Sequence, residues 1–555
     1  MNVKYKVIQI WTVLVLSMTM IQGVDASELE YQEVASEVMM NSLKSQPKRS
    51  FLRKLYTQLF FVPVWMQEQK LSSSAKGLFK HIKNDNTLDK SGKLYHNALN
   101  LESMAQEIYT PKGTTLQKIE LEFKISQLYL AYTNYAYFGS INWGAFQARI
   151  SNLMVNEVST EWVLHRPKFK AIGILENAAL GGNLKQQLEE AIPTHYQYNA
   201  LQKELIKYRK IKENGGWPEV ILQQILKPGK TAQGVDILKE RLQVTGDYLS
   251  CKNSIESNNT YDSCLQEAVK RFQKRNGLQV DGDVGAGTLK VLNITAEQRI
   301  TNILLNLDRI KWLKKRHAKR HIVINIPDFM LYFEEDGKII QKIRTVVGKS
   351  NHPTPIFSNT VKTIVLNPYW NVPQSIVQKE LIPKLLKNPK AMAKKGIEIR
   401  AGWGKHAKKI KASSVDWASY RYASYVPFRF AQIPGKRNAL GKLKFLFPNK
   451  YSVYMHDTPA KGLFSRTKRA YSHGCIRLQK PRELLATFAK FNKNINIEKS
   501  KEILKGKKQT PFTLKERVPI DVIYLTAWVD HEGQLQFRND IYKYDKMQLK
   551  SFRTW

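Results

Sequence analysis

The length of the chain, 555 residues, exceeds what one hydrophobic core can organise, and we expect about three or four domains. Apolar residues make up 43% and aromatic residues 10%, which excludes an intrinsically disordered protein. Lys and Arg total 88 against 47 Asp and Glu, and this formal net charge of +41 attracts anionic partners. The basic residues are spread through every segment and form no nucleic-acid-binding motif, so we predict no nucleic-acid partner. A solvated basic surface without a specific partner is the alternative.

The N-terminus has the pattern of a secretory signal. Lys4 and Lys6 precede an uncharged, mostly apolar run over 7–21, and Val24-Asp25-Ala26 offers small residues at a cleavage site. We predict a signal peptide over 1–26 and a periplasmic protein, whose basic charge would meet anionic envelope polymers. An uncleaved inner-membrane anchor is the alternative, although the run is short for a span of roughly 20 residues.

Residues 27–230 are predicted to form a helical scaffold domain. Leu121, Ile125, Leu128 and Tyr132 make an apolar stripe of helical spacing inside 116–138. Nothing in this region pairs a nucleophile with a base. We therefore assign it no chemistry.

A compact helical module is predicted over 231–297. Leu265, Ala268, Val269 and Phe272 follow the i, i+3, i+4, i+7 spacing of one helix face, and Gly277 ends that helix. Short helices before and after it complete a small bundle. Phe272 is expected to be a core residue of this bundle.

Three cysteines occur, and an odd number leaves one thiol unpaired in an oxidising compartment. Cys251 and Cys264 lie close together in a polar stretch, and a disulfide between them would stabilise the module by roughly 3 kcal/mol. Two free surface thiols are the alternative. Cys475 is then the cysteine without a partner.

Strand patterns dominate from 298 to 545. Segments at 322–326, 330–333 and 339–347 are rich in β-formers, Asp336-Gly337 predicts a hairpin turn, and a further strand is predicted at 452–455. A Lys-, Trp- and Tyr-rich insertion over about 374–428 interrupts this domain, either as a lid-like subdomain or as charged loop decoration. The fold class is therefore multidomain α+β with a mainly-β C-terminal domain.

The residues suited to catalysis lie between 454 and 478. A thiol has a pKa of roughly 8.5, so acyl transfer through Cys475 needs a base that takes its proton and stores it as an ion pair. His473 would share a face with Cys475 at roughly 6–7 Å, too far for direct transfer in an extended chain. His456 ends a predicted strand and can approach across the sheet. We therefore predict His456 as the base, held by a backbone carbonyl or the Asp457 region, and His473 as a residue that shapes the site.

The backbone around the nucleophile suits an oxyanion. Gly474 allows close approach, so the amides of Gly474 and Cys475 are candidate oxyanion donors, and Arg477 is suited to a substrate carboxylate. Two alternatives remain from the residues alone. Cys475 is a buried structural cysteine in one, and in the other His456, His473 and Cys475 hold Zn²⁺ with a water.

Longer motifs resemble two known families. Ala268 to Leu278, Val280-Asp281-Gly282, Gly285 and Thr288-Leu289 resemble the three-helix peptidoglycan-binding domain. His456 with Ser472-His473-Gly474-Cys475-Ile476-Arg477 resembles the signature of the L,D-transpeptidase catalytic domain. The flanking runs that agree with it are Gly348 with Thr354-Pro355, Asn367 to Pro373, Asn438 to Gly441 with Lys444-Phe445, His456 to Pro459, Phe464, Ile523-Tyr524 and Thr526-Ala527. They are typical of the large, multidomain members of that family.

This resemblance implies an activity. Cys475 would attack a stem peptide of peptidoglycan at diaminopimelate, D-Ala would leave, and an acceptor amine would resolve the thioester into a 3→3 cross-link. Catalytic roles fall on Cys475, His456 and His473, and substrate or oxyanion roles on Gly474, Ser472, Arg477, Tyr471 and Trp370. No metal or other cofactor is implied, and carbapenems are the expected inhibitors. L,D-carboxypeptidase action, attachment of the stem to a protein amine, and a non-catalytic wall-binding scaffold remain as alternatives.

Overall fold

The computed structural model describes residues 26–68, 70–109, 113–152, 162–163, 170–179, 183–190, 196–249, 259–313, 318–402 and 407–553. The predicted signal peptide lies outside these residues apart from Ala26. In the part of the chain so described, no helix is both long and apolar enough to cross a lipid bilayer.

The N-terminal region is helical and packs around one long helix, Thr115–Phe138. That helix begins with a capping box between Thr114 and Gln117 and ends at Gly139, whose φ is 79°. A Cβ at Gly139 would lie 2.2 Å from the Asp308 carboxylate, so only glycine fits. The other helices of this region are Ala26–Leu43, Phe51–Gln58, Ser73–Asn84, Lys93–Ile108, Trp143–Ser151, Ala171–Ala179, Leu184–Glu190 and Tyr196–Glu213.

The helix Ala296–Lys311 joins this region to the C-terminal domain. The Asp308 carboxylate accepts a hydrogen bond from the Ser140 amide at 2.9 Å, and the Trp312 indole donates to the Phe138 carbonyl at 2.8 Å. Both contacts lie at the end of the long central helix. The scaffold is therefore fixed to the helix that leads into the β domain.

The three-helix module consists of Val235–Val244, Ser263–Arg275 and Ala286–Leu292. Leu238, Phe272 and Leu292 are fully buried in its core, as expected for Phe272. Cys264 is buried in the second helix. Cys251 lies outside the described residues, so the disulfide between them stays a prediction.

The C-terminal domain is a barrel. Its strands are β1 Arg320–Asn325, β2 Met330–Glu335, β3 Lys338–Gly348, β4 Phe357–Leu366, β9 Leu443–Leu446, β10 Met455–His456, β11 Ala470–Ser472, β12 Ile476–Leu478 and β13 Thr510–Ile523. Among the described residues they form one sheet in the order β11-β3-β12-β10-β9-β4-β13-β1-β2. The sheet closes because β2 also pairs with β3. Helices Pro481–Ala489, Ile497–Lys505 and Tyr544–Leu549 and the hairpin of β14 Ala527–Val529 and β15 Leu535–Phe537 complete the domain.

Two details of the barrel bear on the sequence predictions. The hairpin turn at Asp336-Gly337 is confirmed, because both residues have positive φ, 50° and 75°, between β2 and β3. The predicted strand at 452–455 is wrong at its start. Ser452 has a φ of 55°, which no strand residue adopts, and β10 begins only at Met455.

The insertion forms a small unit of its own. β5 Trp370–Asn371, β6 Ile397–Ala401, β7 Lys408–Ile410 and β8 Phe428–Gln432 make a separate sheet in the order β5-β8-β6-β7. A helix in three consecutive segments, Gln374–Ile376, Val377–Leu381 and Ile382–Lys387, packs with this sheet through Leu381, Leu385 and Trp417. Because β5 and β8 pair with each other, the unit extends beyond the predicted 374–428 on both sides.

Candidate active site

The candidate nucleophile and base lie on adjacent strands of the barrel. β10 and β12 run parallel, with Met455 opposite Ile476 and His456 opposite Arg477. Cys475 directly precedes β12, and alternate residues of an extended segment share a face, so Cys475 lies on the same face as Arg477. The register therefore brings His456 and Cys475 to one face of the sheet.

His456 is buried between two cations. Lys444 lies opposite it on β9 and Arg477 lies opposite it on β12, and directly paired residues share a face. The Nδ1 atom of His456 lies 2.5 Å from the carbonyl oxygen of Asp457. Because a carbonyl can only accept a hydrogen bond, Nδ1 carries the hydrogen and Nε2 keeps a lone pair. The ring is therefore held in the tautomer that a general base needs.

The carboxylate of Asp457 does not orient this ring. It accepts a hydrogen bond from the Lys442 amide at 2.9 Å and pairs with the Lys461 ammonium at 2.6 Å. The group at Nδ1 is the backbone carbonyl of Asp457, so both descriptions given from the sequence, a backbone carbonyl and the Asp457 region, apply to it.

Burial and neighbouring charges decide the protonation of this pair. Burial, with the positive charges of Arg477 and Lys444, lowers the pKa of His456 to about 3. Burial raises the pKa of the Cys475 thiol, and hydrogen bonds from Tyr454 and the two cations oppose that rise only in part. At neutral pH the resting pair is therefore a neutral imidazole and a neutral thiol, and the proton moves to His456 only during the reaction.

Hydrogen bonds fold the turn before β12 and present the nucleophile. The Ser472 hydroxyl donates to the Cys475 carbonyl at 2.5 Å and accepts from the Gly474 amide at 3.1 Å. The Thr354 hydroxyl donates to the Gly474 carbonyl at 2.8 Å. Gly474 has a φ of 108°, which a residue with a side chain rarely adopts. Ser472 is buried and supports the turn from inside.

The thiol of Cys475 is partly exposed and has polar neighbours. Sγ lies 3.8 Å from the Ser452 carbonyl oxygen, and the Tyr454 hydroxyl is hydrogen-bonded to both Cys475 and Trp370. The Lys444 ammonium lies 3.7 Å from the centroid of the Tyr454 ring. Trp370, on the first strand of the insertion, is therefore connected to Cys475 through the Tyr454 hydroxyl.

His473 lies at the edge of the site, where the insertion meets the barrel. Its Nε2 atom is 3.2 Å from the carboxylate of Glu380, which belongs to the Val377–Leu381 segment, and its ring packs edge-on against His352 with centroids 4.8 Å apart. Burial and the charge of Lys349 lower the pKa of His473. Its contacts link the catalytic turn to the insertion.

The remaining predicted site residues are divided between the site and its rim. Arg477 is half-buried on the shared face and interacts electrostatically with Cys475. Tyr471 is exposed, and its hydroxyl accepts a hydrogen bond from Arg466 at 3.2 Å, outside the group around the thiol. Neither Lys444 nor Tyr454 has a role that the sequence alone predicted. Both lie inside the quoted motifs, but only the strand register brings them to Cys475.

A metal centre was an alternative for the same residues. In the described ranges, no group of three or more His, Cys, Asp or Glu side chains is arranged to hold a metal ion. The zinc alternative therefore has no ligand set in that part of the chain.

Three segments of the chain match known families of protein domains. Residues 319–497 match the L,D-transpeptidase catalytic domain, residues 231–292 match a peptidoglycan binding domain, and residues 50–205 match a scaffold domain. Residues 319–497 are a domain of the L,D-transpeptidase family. The match to the catalytic domain contains Cys475, His456, the β10–β12 pair and the whole insertion.

Individual proteins that are similar to this chain are also named L,D-transpeptidases. A Haemophilus influenzae protein that bears the name of an L,D-transpeptidase is 31% identical over 259 residues, which is 47% of this chain and 50% of that protein. The chain thus matches about half the length of this relative. Solved L,D-transpeptidases from Stackebrandtia nassauensis and Mycobacterium smegmatis are 15% and 14% identical, with TM-scores of 0.21 and 0.17. They cover 54% and 37% of this chain, and 94% and 58% of their own chains.

Proposed function

We propose that this protein is a peptidoglycan L,D-transpeptidase that forms 3→3 cross-links through a thioester on Cys475. One observation carries the proposal. Within the domain of the L,D-transpeptidase family, the free thiol of Cys475 shares a face of the sheet with His456, whose Nδ1 is held by a backbone carbonyl. A nucleophile, a base in a fixed tautomer and backbone amides held beside the nucleophile are the parts that acyl transfer needs.

The first half-reaction forms the acyl-enzyme. Nε2 of His456 takes the Sγ proton as Cys475 attacks the carbonyl of diaminopimelate in a donor tetrapeptide, forming a C–S bond and an oxyanion. The Cys475 amide is the candidate donor to this oxyanion, because the Gly474 amide, also predicted from the sequence, already donates to the Ser472 hydroxyl. When the intermediate collapses, the C–N bond to D-Ala breaks, and the protonated His456 delivers its proton to the leaving amine.

The second half-reaction transfers the acyl group. The side-chain amine of a second diaminopimelate attacks the thioester carbonyl and gives a proton to His456. The C–S bond breaks, the new amide is complete, and the thiolate regains the proton. Lys444 and Arg477 stabilise the negative charge that passes through sulfur and oxygen, because both cations lie on the face that carries Cys475.

The experiment is muropeptide analysis of cells that produce the native chain or Cys475→Ala. We expect 3→3 dimers with the native chain only. Equal dimer levels in both would overturn the proposal. Tripeptides in place of dimers would indicate L,D-carboxypeptidase action, and wall binding without either product would indicate a non-catalytic scaffold.

The inhibitor and the base are tested together by intact-protein mass spectrometry. An L,D-transpeptidase has been solved in complex with imipenem, and we expect this carbapenem to acylate Cys475. The native protein should gain one imipenem mass, and His456→Ala should gain it far more slowly. A His456→Ala protein that is acylated at the native rate would mean that another group is the base.

The location of the protein is also proposed rather than observed. We propose a periplasmic protein released from its signal after Ala26. N-terminal sequencing of the protein purified from a periplasmic fraction should begin at Ser27. A start at Met1 in a membrane fraction would favour the anchored alternative.

A further inference from the structure

A large cleft lies between the three-helix module and the barrel. Its volume is about 1670 Å³. One wall comes from the module, with Leu278 and Lys290, and the opposite wall comes from the barrel, with Met330 and the loop 465–469. Cys475 and His456 are absent from its described lining. The cleft is therefore distinct from the catalytic site.

The cleft presents positive charge on both walls. Lys274 and Lys290 line it from the module, and Lys319 and Lys468 line it from the barrel. All four side chains are exposed, and none makes an ion pair with a described residue. An anion that enters the cleft thus meets ammonium groups from two domains.

Two buried carboxylates of the cleft, Asp328 and Asp521, have partners within its own walls. Asp328 is buried and accepts hydrogen bonds from Arg538, at 2.8 Å, and from the Tyr332 hydroxyl. Asp521 is buried and lies 2.7 Å from the Nε2 atom of His321. The described lining holds seven acids in all, the other five being Glu334, Asp336, Asp530, Glu532 and Asp540, against ten Lys and Arg residues, so positive charge is in excess. The lining as a whole therefore favours an anionic ligand over a cationic one.

The two walls are held in a fixed relation. Besides its bond to Asp328 on the barrel, Arg538 donates to the carbonyl of Arg275 at the end of the module's second helix, at 2.9 Å. Gly277 lies against the same arginine, and a Cβ there would approach its Cδ to 2.4 Å. The module is consequently docked on the barrel with the cleft open, not tethered by a loose link.

The barrel wall continues along the chain into the catalytic turn. Arg469 anchors the loop 465–469 by donating to the carbonyls of Thr345 and Phe329, each at 3.2 Å. The next residues are β11, which leads directly to Cys475. A polymer held in the cleft would therefore lie against the segment that positions the nucleophile.

We propose that this cleft binds a peptidoglycan strand, and that the module and the barrel hold the same strand. The proposal rests on the proposed function and adds a binding site to it. Stem peptides carry free carboxylates, which complement the lysines of both walls, and the module matches a peptidoglycan binding domain. The cleft thus places part of the polymer at a fixed position relative to Cys475.

The test measures binding of the full chain to purified sacculi at low ionic strength. Each protein carries Cys475→Ala, so no covalent product forms. Lys290→Glu reverses one charge on the module wall and Lys468→Glu reverses one on the barrel wall. Lys493→Glu, an exposed and unpaired lysine of the barrel domain outside the cleft, is the matched control. Thermal unfolding confirms that all variants are folded.

We expect Lys290→Glu and Lys468→Glu each to weaken binding about three- to tenfold, and the double variant by at least the product, with Lys493→Glu unchanged. A loss confined to Lys290→Glu would mean that the module binds alone, and would overturn the shared cleft. Equal losses in all three variants would reveal only non-specific charge attraction, which also overturns it. Because no step uses the thiol, these outcomes are independent of whether 3→3 dimers form.

Discussion

The pH dependence of acylation tests the surroundings of His456. The perturbation is a change of pH from about 7.5 to about 5, and the quantity followed is the rate at which imipenem acylates Cys475. A base with the ordinary histidine pKa of roughly 6.5 would be about 97% protonated at the lower pH, and the rate would fall about 30-fold. Burial and two cations lower the pKa of His456 to about 3 instead.

The difference between the ordinary histidine pKa and that of His456 decides how much the acylation rate changes with pH. Protonating His456 in the folded protein costs about 5 kcal/mol more than in water, from about 3.5 pKa units at 1.36 kcal/mol each. The imidazole therefore stays almost wholly neutral at about pH 5, and the thiol, with its raised pKa, stays protonated throughout. We expect the acylation rate to change less than about twofold over this range.

The assay is a time course by intact-protein mass spectrometry at each pH, with His473→Gln as the control that removes the other histidine of the motif. The free energy of unfolding should also change with pH, through the titration of His456. Because the folded pKa of His456 is depressed, its stabilising contribution is complete above about pH 6.5 and is lost as the pH falls towards 3. A rate that falls with an apparent pKa near 6.5 in both proteins would refute the reasoning.

Three further predictions concern single side chains. Lys444→Met should raise the pKa of the Cys475 thiol and slow acylation about tenfold, as measured by ultraviolet titration of the thiolate and by mass spectrometry. Lys444→Arg keeps the positive charge, so the thiol pKa and the acylation rate should stay close to those of the native protein. Ser472→Ala should lower stability by about 1–3 kcal/mol in thermal unfolding, because the turn loses two hydrogen bonds, and Ser472→Thr should restore it. Arg538→Ala leaves Asp328 buried without its cation, and should cost about 3–5 kcal/mol and expose the links around the module to limited proteolysis.

Periodicity and turn chemistry predicted the elements whose signals are local. The hairpin at Asp336-Gly337 follows from a dipeptide that tolerates positive φ, and the helix that ends near Gly277 follows from its apolar spacing. The strand prediction at 452–455 was wrong at its start because it also relied on local signals alone. Ser452 carries no local signal for its left-handed conformation, which the surrounding fold imposes.

The group around the thiol was only partly accessible to sequence reasoning. Cys475 and His456 were predicted because cysteine and histidine are residue types that serve as a nucleophile and its base. Lys444 was missed because nothing in its neighbourhood distinguishes it from the many other lysines. Its position depends on β9 pairing with β10 in a register that sets it opposite His456, and a shift by one residue would turn it to the other face.

The two histidines of the motif differ in what fixes their rings. His456 is buried, and a backbone carbonyl that cannot move away holds its Nδ1 hydrogen. His473 is partly exposed, and its Nε2 is paired with Glu380, an acid on the insertion that is itself 43% exposed. Such a pair is worth less than about 1 kcal/mol, so it fixes the ring of His473 less firmly than burial and the backbone carbonyl fix the ring of His456. A general base must present the same lone pair at every turnover, and this requirement favours His456 as the base. His473 instead links the catalytic turn to the insertion through Glu380.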